Sequence, residues 1–319
     1  MARNLVTGGM GLLGIYLARE LLAEGEEVIL FQRRGELPST AADIKDKSIV
    51  HAGDVRNWVQ VLEAVRDHAI DTVYHAAALL TKDCEESAAN GFRTNVVGTL
   101  NILEGARILG VKNVIFVSTG STYGFKSHPK RILDDTPQKP ETMYATTKVC
   151  CERLGEQYWR QYGLNFRAAR FAVVVGPAKQ HSYHFGDWSG IIERTALTEP
   201  YTAHSDPNIA CAYIYVKDAV RALVGLKKAD ESKLRQRVYN VHGFLATLAE
   251  VDQVLRKHIP GTRISFDWDR GEAMRAANEA VSYEMDNTSA LQDFGYQTSY
   301  PLQEMVEDFI REVRAGRAA

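Results

Sequence analysis

A doubly wound α/β architecture, built on a parallel sheet with a smaller C-terminal lobe, is predicted by three observations. Short β-branched runs alternate with helical stretches through the first half of the chain, the pattern of successive βαβ units. The alternation breaks after Phe171, where an irregular stretch carrying Pro177, Pro200 and Pro207 begins. At 319 residues and 45% hydrophobic composition, the chain can bury a large core, as one domain or two unequal lobes, without disulfides or metals.

Each element follows from local pattern. Mostly apolar runs at Asn4 to Thr7, Glu27 to Gln32, Ser48 to Ala52, Thr72 to His75, Asn113 to Ser118 and Asn165 to Phe171 have the length and composition of strands covered on both faces. Between them, Leu12 to Glu24, Asn57 to His68 and Gly91 to Leu109 place apolar residues at helical spacing, the first and last ending at Gly25 and Gly110. Beyond the irregular stretch, which holds one helix near Gly190 to Leu197, the pattern predicts strands at Tyr213 to Val216 and Val238 to Val241 around a helix from Lys217 to Lys227. A helix from Leu248 to His258, a strand near Arg263 to Trp268 and a closing helix from Leu302 to Arg314 complete the chain. The expected organisation is a parallel-sheet domain over 1–172 with returns near 213–244, and a smaller lobe from 173–212 and 245–319.

Bulk charge points to no macromolecular partner. The 38 basic and 40 acidic residues leave a net charge of -2, which offers no footprint for nucleic acid and no polybasic membrane surface. Met1-Ala2-Arg3-Asn4 runs straight into the first strand without a leader, and no apolar run approaches the ~18 residues of a membrane span. A soluble, cytoplasmic protein is expected. Cys84, Cys150, Cys151 and Cys211 form no CxxC pair, so free thiols are expected. His181 and His184 lack an evident third ligand, and no metal is expected.

Directly after the first strand, Gly8, Gly11 and Gly14 stand in GxxGxxG spacing, with Leu12 and Leu13 between the last two glycines. In that strand-to-helix context the glycines permit a tight turn, a close approach of backbone to a pyrophosphate, and close helix packing, with the phosphates over the helix N-terminus. This identifies a Rossmann-type nucleotide site. An acid at the end of the second strand would bind the adenosine ribose hydroxyls. Gln32 stands there instead, followed by Arg33 and Arg34, whose guanidiniums suit a 2′-phosphate. NADP(H) is therefore expected over NAD(H). Asp54, after the third strand and followed by Val55, is placed to reach the adenine.

Tyr144 and Lys148 stand four apart, on one face of a helix. A phenol with a pKa near ~10 is a poor base at neutral pH, and a neighbouring ammonium favours its ionised form. Ser118, Thr119, Gly120 and Ser121 follow the fifth strand, at the sheet edge where open α/β sheets bind ligands.

Taken together, these motifs resemble the extended short-chain dehydrogenase/reductase family (NAD-dependent epimerase/dehydratase type) over nearly the whole chain. The likeness rests on Thr7 to Gly14, Gly53-Asp54-Val55, His75 to Ala78, Asn95 to Asn101, Ser118-Thr119 with Tyr123-Gly124, Tyr144 with Lys148, Arg170, Gly176-Pro177 and Tyr213 to Asp218. It implies that Thr119 binds the reacting oxygen, Tyr144 exchanges its proton, and Lys148 holds the nicotinamide ribose. It also implies cofactor contacts from Ala76, Ala77, Ala78, Asn95, Ser118, Phe171 and Val174, and a homodimer formed by the helices that carry Asn95 to Leu109 and Tyr144 to Tyr162.

Departures from the family pattern narrow the chemistry. Dehydratases carry Asp-Glu where this chain has Gly120-Ser121, and nucleotide-sugar epimerases carry Asn and Arg where it has Val173 and Cys211. Local likeness is strongest to the L-threonine dehydrogenase branch, through Ala77 to Thr81, Lys257 to Pro260 and Gly186-Asp187-Trp188. That branch's substrate-engaging threonine is replaced by Gly186 and its NAD-selecting acid by Gln32. A small polar, carboxylated hydroxy or keto compound is expected, contacted by Leu80, Thr81, Thr119, Gly120, Ser121, His181, Gly186 and Trp188. Lys82, Lys179, His181, His184 and Arg194 are candidate cations for its carboxylate. The alternative is a sugar or nucleotide-sugar epimerase that retains its cofactor.

Overall fold

The computed structural model describes residues 1–33, 35, 37, 39–124, 129–177, 186–268 and 283–316. The chain runs through β1 (Arg3–Thr7), α1 (Leu12–Ala23), β2 (Glu27–Gln32), β3 (Ile49–Ala52), α2 (Trp58–Asp67), β4 (Thr72–His75), and the short helices α3 (Thr81–Glu86) and α4 (Ala88–Phe92). It continues with α5 (Gly98–Ile108), β5 (Asn113–Thr119), β6 (Arg131–Ile132), α6 (Met143–Tyr162), β7 (Asn165–Phe171), β8 (Val173–Val175), α7 (Gly186–Ala196), β9 (Tyr201–Ala203), β10 (Cys211–Tyr215) and α8 (Val216–Lys228). Last come β11 (Val238–Val241), β12 (Phe244–Ala246), α9 (Leu248–His258), β13 (Ile264–Phe266), β14 (Glu284–Met285) and the helices Thr288–Phe294 and Leu302–Arg314.

Seven strands form the central sheet in the order β11-β7-β5-β4-β1-β2-β3, every pair parallel. Successive residues of a strand point to opposite faces, and both faces here are covered. Val6, Leu30, Tyr74 and Ile115 enter one core with residues of α1, α7, α8, α9 and Leu302–Arg314. Leu5, Ile29, Val73 and Val114 enter the other with residues of α2, α5 and α6. This is why the strands read as unbroken apolar runs. Each such side chain contributes about 1.5–3 kcal/mol by leaving water. Among the described residues, no helix is long and apolar enough to cross a membrane.

Two features differ from the sequence expectation. The run around Tyr213 was expected to return to the central sheet, but β10 pairs with β8 and β12 in a separate small sheet. The chain bends at Ala172, whose N–H donates to Val241 O at 3.1 Å, so β8 leaves the ladder that β7 and β11 share. The helix expected from Gly91 to Leu109 is interrupted by a π turn, Arg93–Val97. Thr99 Oγ1 and Cys151 Sγ both donate to the Asn95 carbonyl, at 2.6 and 3.2 Å, and draw it out of the regular ladder. Such turns concentrate at functional sites.

Behind that turn, His75 spans the interior. Thr99 donates to the Asn95 carbonyl, so its oxygen accepts from His75 Nε2–H at 3.0 Å. Ala77 N–H donates to Thr7 Oγ1 at 3.1 Å, and the Thr7 hydroxyl donates to His75 Nδ1 at 2.7 Å. The ring is therefore the neutral Nε2–H tautomer. Burial first, and the Lys148 charge second, push its pKa down to about 3. The unfolded chain takes up a proton on this ring near pH ~6.5 while the folded one does not. Stability therefore falls as pH drops from about 6.5 toward about 3, by up to about 1.4 kcal/mol per pH unit from this group. In ¹⁵N NMR of the folded protein, the His75 ring should keep neutral Nε2–H shifts down to pH ~5; a titration midpoint near pH ~6.5 would contradict the assignment.

Candidate active site

The glycine turn shows whether a dinucleotide fits. Gly8 has φ +69, and a Cβ on it would stand 2.9 Å from Ala77 N, so β4 and the turn touch backbone to backbone. A Cβ on Gly14 would press into the Gly8 carbonyl oxygen, which seats α1 tightly against the turn. Above Gly11 the space is open, since a Cβ there would meet only Gly8 O at 3.3 Å. Gly11 caps α1 without a side-chain hydrogen bond, so the first N–H groups of the helix, on Leu12 and Leu13, remain for a pyrophosphate. The residues present fit the phosphates of a dinucleotide.

At the adenosine end, Gln32 is buried and Arg33 exposed beyond it, while Arg34 lies outside the described residues. Asp54 is gripped by Arg56, whose Nε lies 3.0 Å from each carboxylate oxygen. That bond, with weaker help from the Arg33 charge, holds the Asp54 carboxyl below the usual range. Val55 is buried and packs where Gly98 leaves no side chain.

The candidate residues Thr119, Tyr144 and Lys148 meet near the C-terminal end of β5. Thr142 caps α6 by accepting from Ala145 N–H at 3.1 Å, and Glu85 of α3 accepts from Met143 N–H at 2.7 Å. One residue on, Tyr144 is half-buried and hydrogen-bonded to Thr119. Thr119 in turn caps the short turn Gly120–Tyr123, accepting from Ser121 N–H at 3.2 Å, with the two hydroxyl oxygens 3.0 Å apart. Lys148 is 2% exposed and donates to Val117 O at 2.7 Å, its Nζ 4.6 Å above the Phe116 ring and 5.8 Å from that of Tyr144. Burial lowers the Lys148 pKa to about 8. Burial, reinforced by the thiols of Cys84 and Cys151, raises that of Tyr144, against the pull of the Thr119 hydrogen bond. From the spacing alone, the ammonium of Lys148 favours the ionised phenol. Here desolvation prevails, and Tyr144 is held as the neutral acid.

Around this centre, Asn95 is buried, and its amide is engaged with both backbone groups of Leu79 and with Thr147 Oγ1. It thereby orders the segment from Ala76, Ala77 and Ala78 to exposed Leu80 and half-buried Thr81. Ser118 is also buried, but its hydroxyl donates to Glu152 Oε1 at 2.5 Å, so its side chain belongs to an interior polar network. Phe171 ends β7 in the central sheet, and Val174 lies in β8, in the separate small sheet that β8 forms with β10 and β12. Trp188 departs most from expectation. It is 2% exposed and packs on Tyr213, with ring centroids 3.7 Å apart, which places it in the apolar core. Gly186 opens α7 two residues earlier; His181, Lys179 and His184 lie outside the described residues. Lys82 and Arg194 sit at the surface, paired with Glu86 and Glu199.

Sequence reasoning missed Glu85, Glu152, Tyr283 and Met285. A Cβ on Gly120 would stand 2.8 Å from Met285 Sδ and 3.0 Å from the Tyr283 hydroxyl. No local spacing signals this, because the two segments lie far apart in the chain.

Comparison with known proteins agrees with this geometry. The sequence profile of the NAD dependent epimerase/dehydratase family matches residues 4–241. The chain is 28% identical to the mitochondrial L-threonine 3-dehydrogenase of Sus scrofa, across 95% of this chain and 80% of that one. Among solved structures, L-threonine dehydrogenase from Clostridium difficile superposes with a TM-score of 0.90 at 25% identity, covering 100% of this chain and 99% of that one. UDP-glucose 4-epimerase of Thermus thermophilus, in complex with NAD, superposes at 0.82 and 25%, covering 98% and 99%. With the glycine turn, the tyrosine–lysine pair and the parallel sheet all in place, the chain belongs to the NAD dependent epimerase/dehydratase family and is an NAD-dependent enzyme of the extended short-chain dehydrogenase/reductase type.

Proposed function

We propose that the protein is an NAD(P)-dependent dehydrogenase interconverting a secondary alcohol and a ketone on a small polar, carboxylated substrate. The observation that carries this reading is the joint placement of Thr119, Tyr144 and Lys148 at one sheet edge beside an open phosphate cradle. A bound nicotinamide supplies the hydride donor or acceptor. The Thr119 hydroxyl holds the substrate oxygen, and Tyr144 delivers a proton to that oxygen during ketone reduction or takes one during alcohol oxidation. Lys148 sets the charge beside the phenol and is the residue to hold the nicotinamide ribose. Residues 1–172 and 213–244 serve mainly the cofactor, and 173–212 with 245–319 mainly the substrate. The names of the similar proteins support a hydroxy amino acid or a close analogue, although Gly186 offers no side chain to engage L-threonine. An epimerase reading is weakened by Val173 and buried Cys211, neither of which can pair with a diphosphate.

Turnover tests the reading directly. Tyr144→Phe should lower kcat by about 10²- to 10⁴-fold while the cofactor Kd, measured by nicotinamide fluorescence, stays unchanged; substantial residual activity removes Tyr144 from the mechanism. Net reduction of free cofactor by the wild type separates a dehydrogenase from an enzyme that retains its cofactor.

Cofactor preference follows from Gln32 and exposed Arg33 at the end of β2. We expect a lower KM for NADP than for NAD, and a clear preference for NAD overturns that assignment.

The homodimer has its own support. On α4, α5 and α6, Phe92, Leu100, Ile108 and Tyr162 are 46%, 38%, 52% and 48% exposed, a concentration of apolar surface that association would cover. Light scattering at micromolar concentration should give twice the 35.6 kDa chain mass, and a monomer mass refutes it.

A further inference from the structure

We propose that Ser121 is a proton-relay residue: the hydroxyls of Ser121 and Thr119 form a chain that returns a proton from solvent to Tyr144 after ketone reduction, and carries one out after alcohol oxidation. The inference rests on the dehydrogenase reading above and adds to it the route by which the phenol is recharged.

The chain is built into the turn after β5. Tyr144 is hydrogen-bonded to Thr119, a bond that favours the ionised phenol, as a hydroxyl donating to it does. The Thr119 and Ser121 hydroxyl oxygens stand 3.0 Å apart, and Ser121 N–H donates to Thr119 Oγ1 at 3.2 Å. A hydroxyl oxygen has one hydrogen and two lone pairs. With one lone pair taken by that N–H, Thr119 accepts from one hydroxyl neighbour and donates to the other. The chain therefore has two settings, Tyr144 to Thr119 to Ser121, or the reverse. The first suits a protonated phenol, the second a phenolate awaiting a proton.

The turn also fixes which hydroxyl forms the outer end. Thr122 donates back to Thr119 O at 2.9 Å and Tyr123 to Asn240 Oδ1 at 2.7 Å, and both residues are buried. Ser121 between Gly120 and Thr122 is half-buried, and Gly124 N–H closes the turn by donating to Ser121 O at 3.1 Å. The other polar neighbours of the phenol are committed elsewhere. Lys148 donates to Val117 O, and the Asn95 amide is engaged with Leu79 and Thr147.

Protons balance along this path. In ketone reduction Tyr144 gives its hydroxyl proton to the oxygen of the carbonyl whose carbon takes up hydride, and is left a phenolate. When the alcohol departs, Thr119 passes its hydrogen to the phenolate, Ser121 passes its own to Thr119, and water supplies Ser121. Each oxygen that gives a proton receives one, and the net change is one proton drawn from solvent. Alcohol oxidation runs the same steps backwards. A serine suits the position because, unlike the acid that dehydratases carry there, its hydroxyl donates and accepts together without holding a charge.

Rapid-mixing reduction of acetoacetate and pyruvate by enzyme preloaded with NADPH or NADH tests the proposal in wild type, Ser121→Ala and Ser121→Thr. Tyr144 already carries its proton in the resting enzyme. The first turnover of Ser121→Ala should therefore stay within about twofold of wild type, while its steady-state kcat falls by at least about tenfold. A pH-indicator dye should show proton uptake lagging behind nicotinamide oxidation in that variant alone. Ser121→Thr keeps the hydroxyl and should restore kcat, as should added imidazole acting as a small proton donor in Ser121→Ala. KM, cofactor Kd and Tm should stay unchanged. A slowed first turnover, a raised KM or an unchanged steady-state kcat in Ser121→Ala overturns the relay while the dehydrogenase reading stands. A wild type that reduces neither ketone overturns that reading and this inference with it.

Discussion

Glu152 and Arg170 form the ion pair on which the site's geometry depends. They are 0% and 3% exposed, with Arg170 Nη2 2.7 Å from Glu152 Oε2. Glu152 also accepts from Ser118 on β5 and from Gln138, and Arg170 reaches the Tyr123 hydroxyl and the Asp134 carbonyl. A charge pair this deep is costly to bury, and removing one partner typically costs about 3–5 kcal/mol because the other is left uncompensated. Its structural consequence is orientation. Tyr144, Lys148 and Glu152 are spaced four apart on α6, so they share one face. With Glu152 locked to β7 and β5, the helix cannot rotate without tearing the pair apart. Gly155, one turn further, lets the Phe166 ring lie against the helix backbone, bringing α6 close to the sheet.

The same pair tunes the chemistry. Lys148 is buried deeply enough for desolvation to lower its pKa, and the Glu152 carboxylate is one of the charges that limit the fall. The ammonium is thus maintained near neutrality within a setting that would otherwise discharge it. Tyr144 lacks such compensation and remains protonated. One group is held charged beside another held neutral, the separation of roles that acid–base catalysis needs.

Much of this was legible in the sequence because it is carried by short-range pattern. The parallel strands announced themselves as apolar runs of strand length, and the glycine turn, Thr119 and the Tyr144–Lys148 pair occur at fixed local spacings. What stayed hidden depends on distant pairing. The π turn at Asn95 arises from hydrogen bonds to its carbonyl by Thr99 and Cys151, the latter from a helix that begins almost fifty residues later. Trp188 carries no mark in its neighbours that distinguishes a core aromatic from a pocket aromatic. Tyr283 meets Gly120 only because β14 pairs with β6. The Lys148 environment, likewise, is set by burial, which composition does not reveal.

The edge position of β11 carries a consequence for how the chain assembles. Val238–Val241 covers the outer side of β7, with Asn240 opposite Arg170 in register, and Asn240 Oδ1 accepts from the Tyr123 hydroxyl at 2.7 Å. During synthesis, everything needed for the glycine turn, β5 and α6 emerges well before this strand. Until it docks, β7 presents a bare row of backbone donors and acceptors, and the polar network beneath the site lacks one of its members. The nascent chain therefore passes through an interval with an open sheet edge, the form most prone to pairing with another chain. Docking of β11 both closes that edge and adds Asn240 to the interior network, so one strand serves the sheet and the polar network beneath the site together.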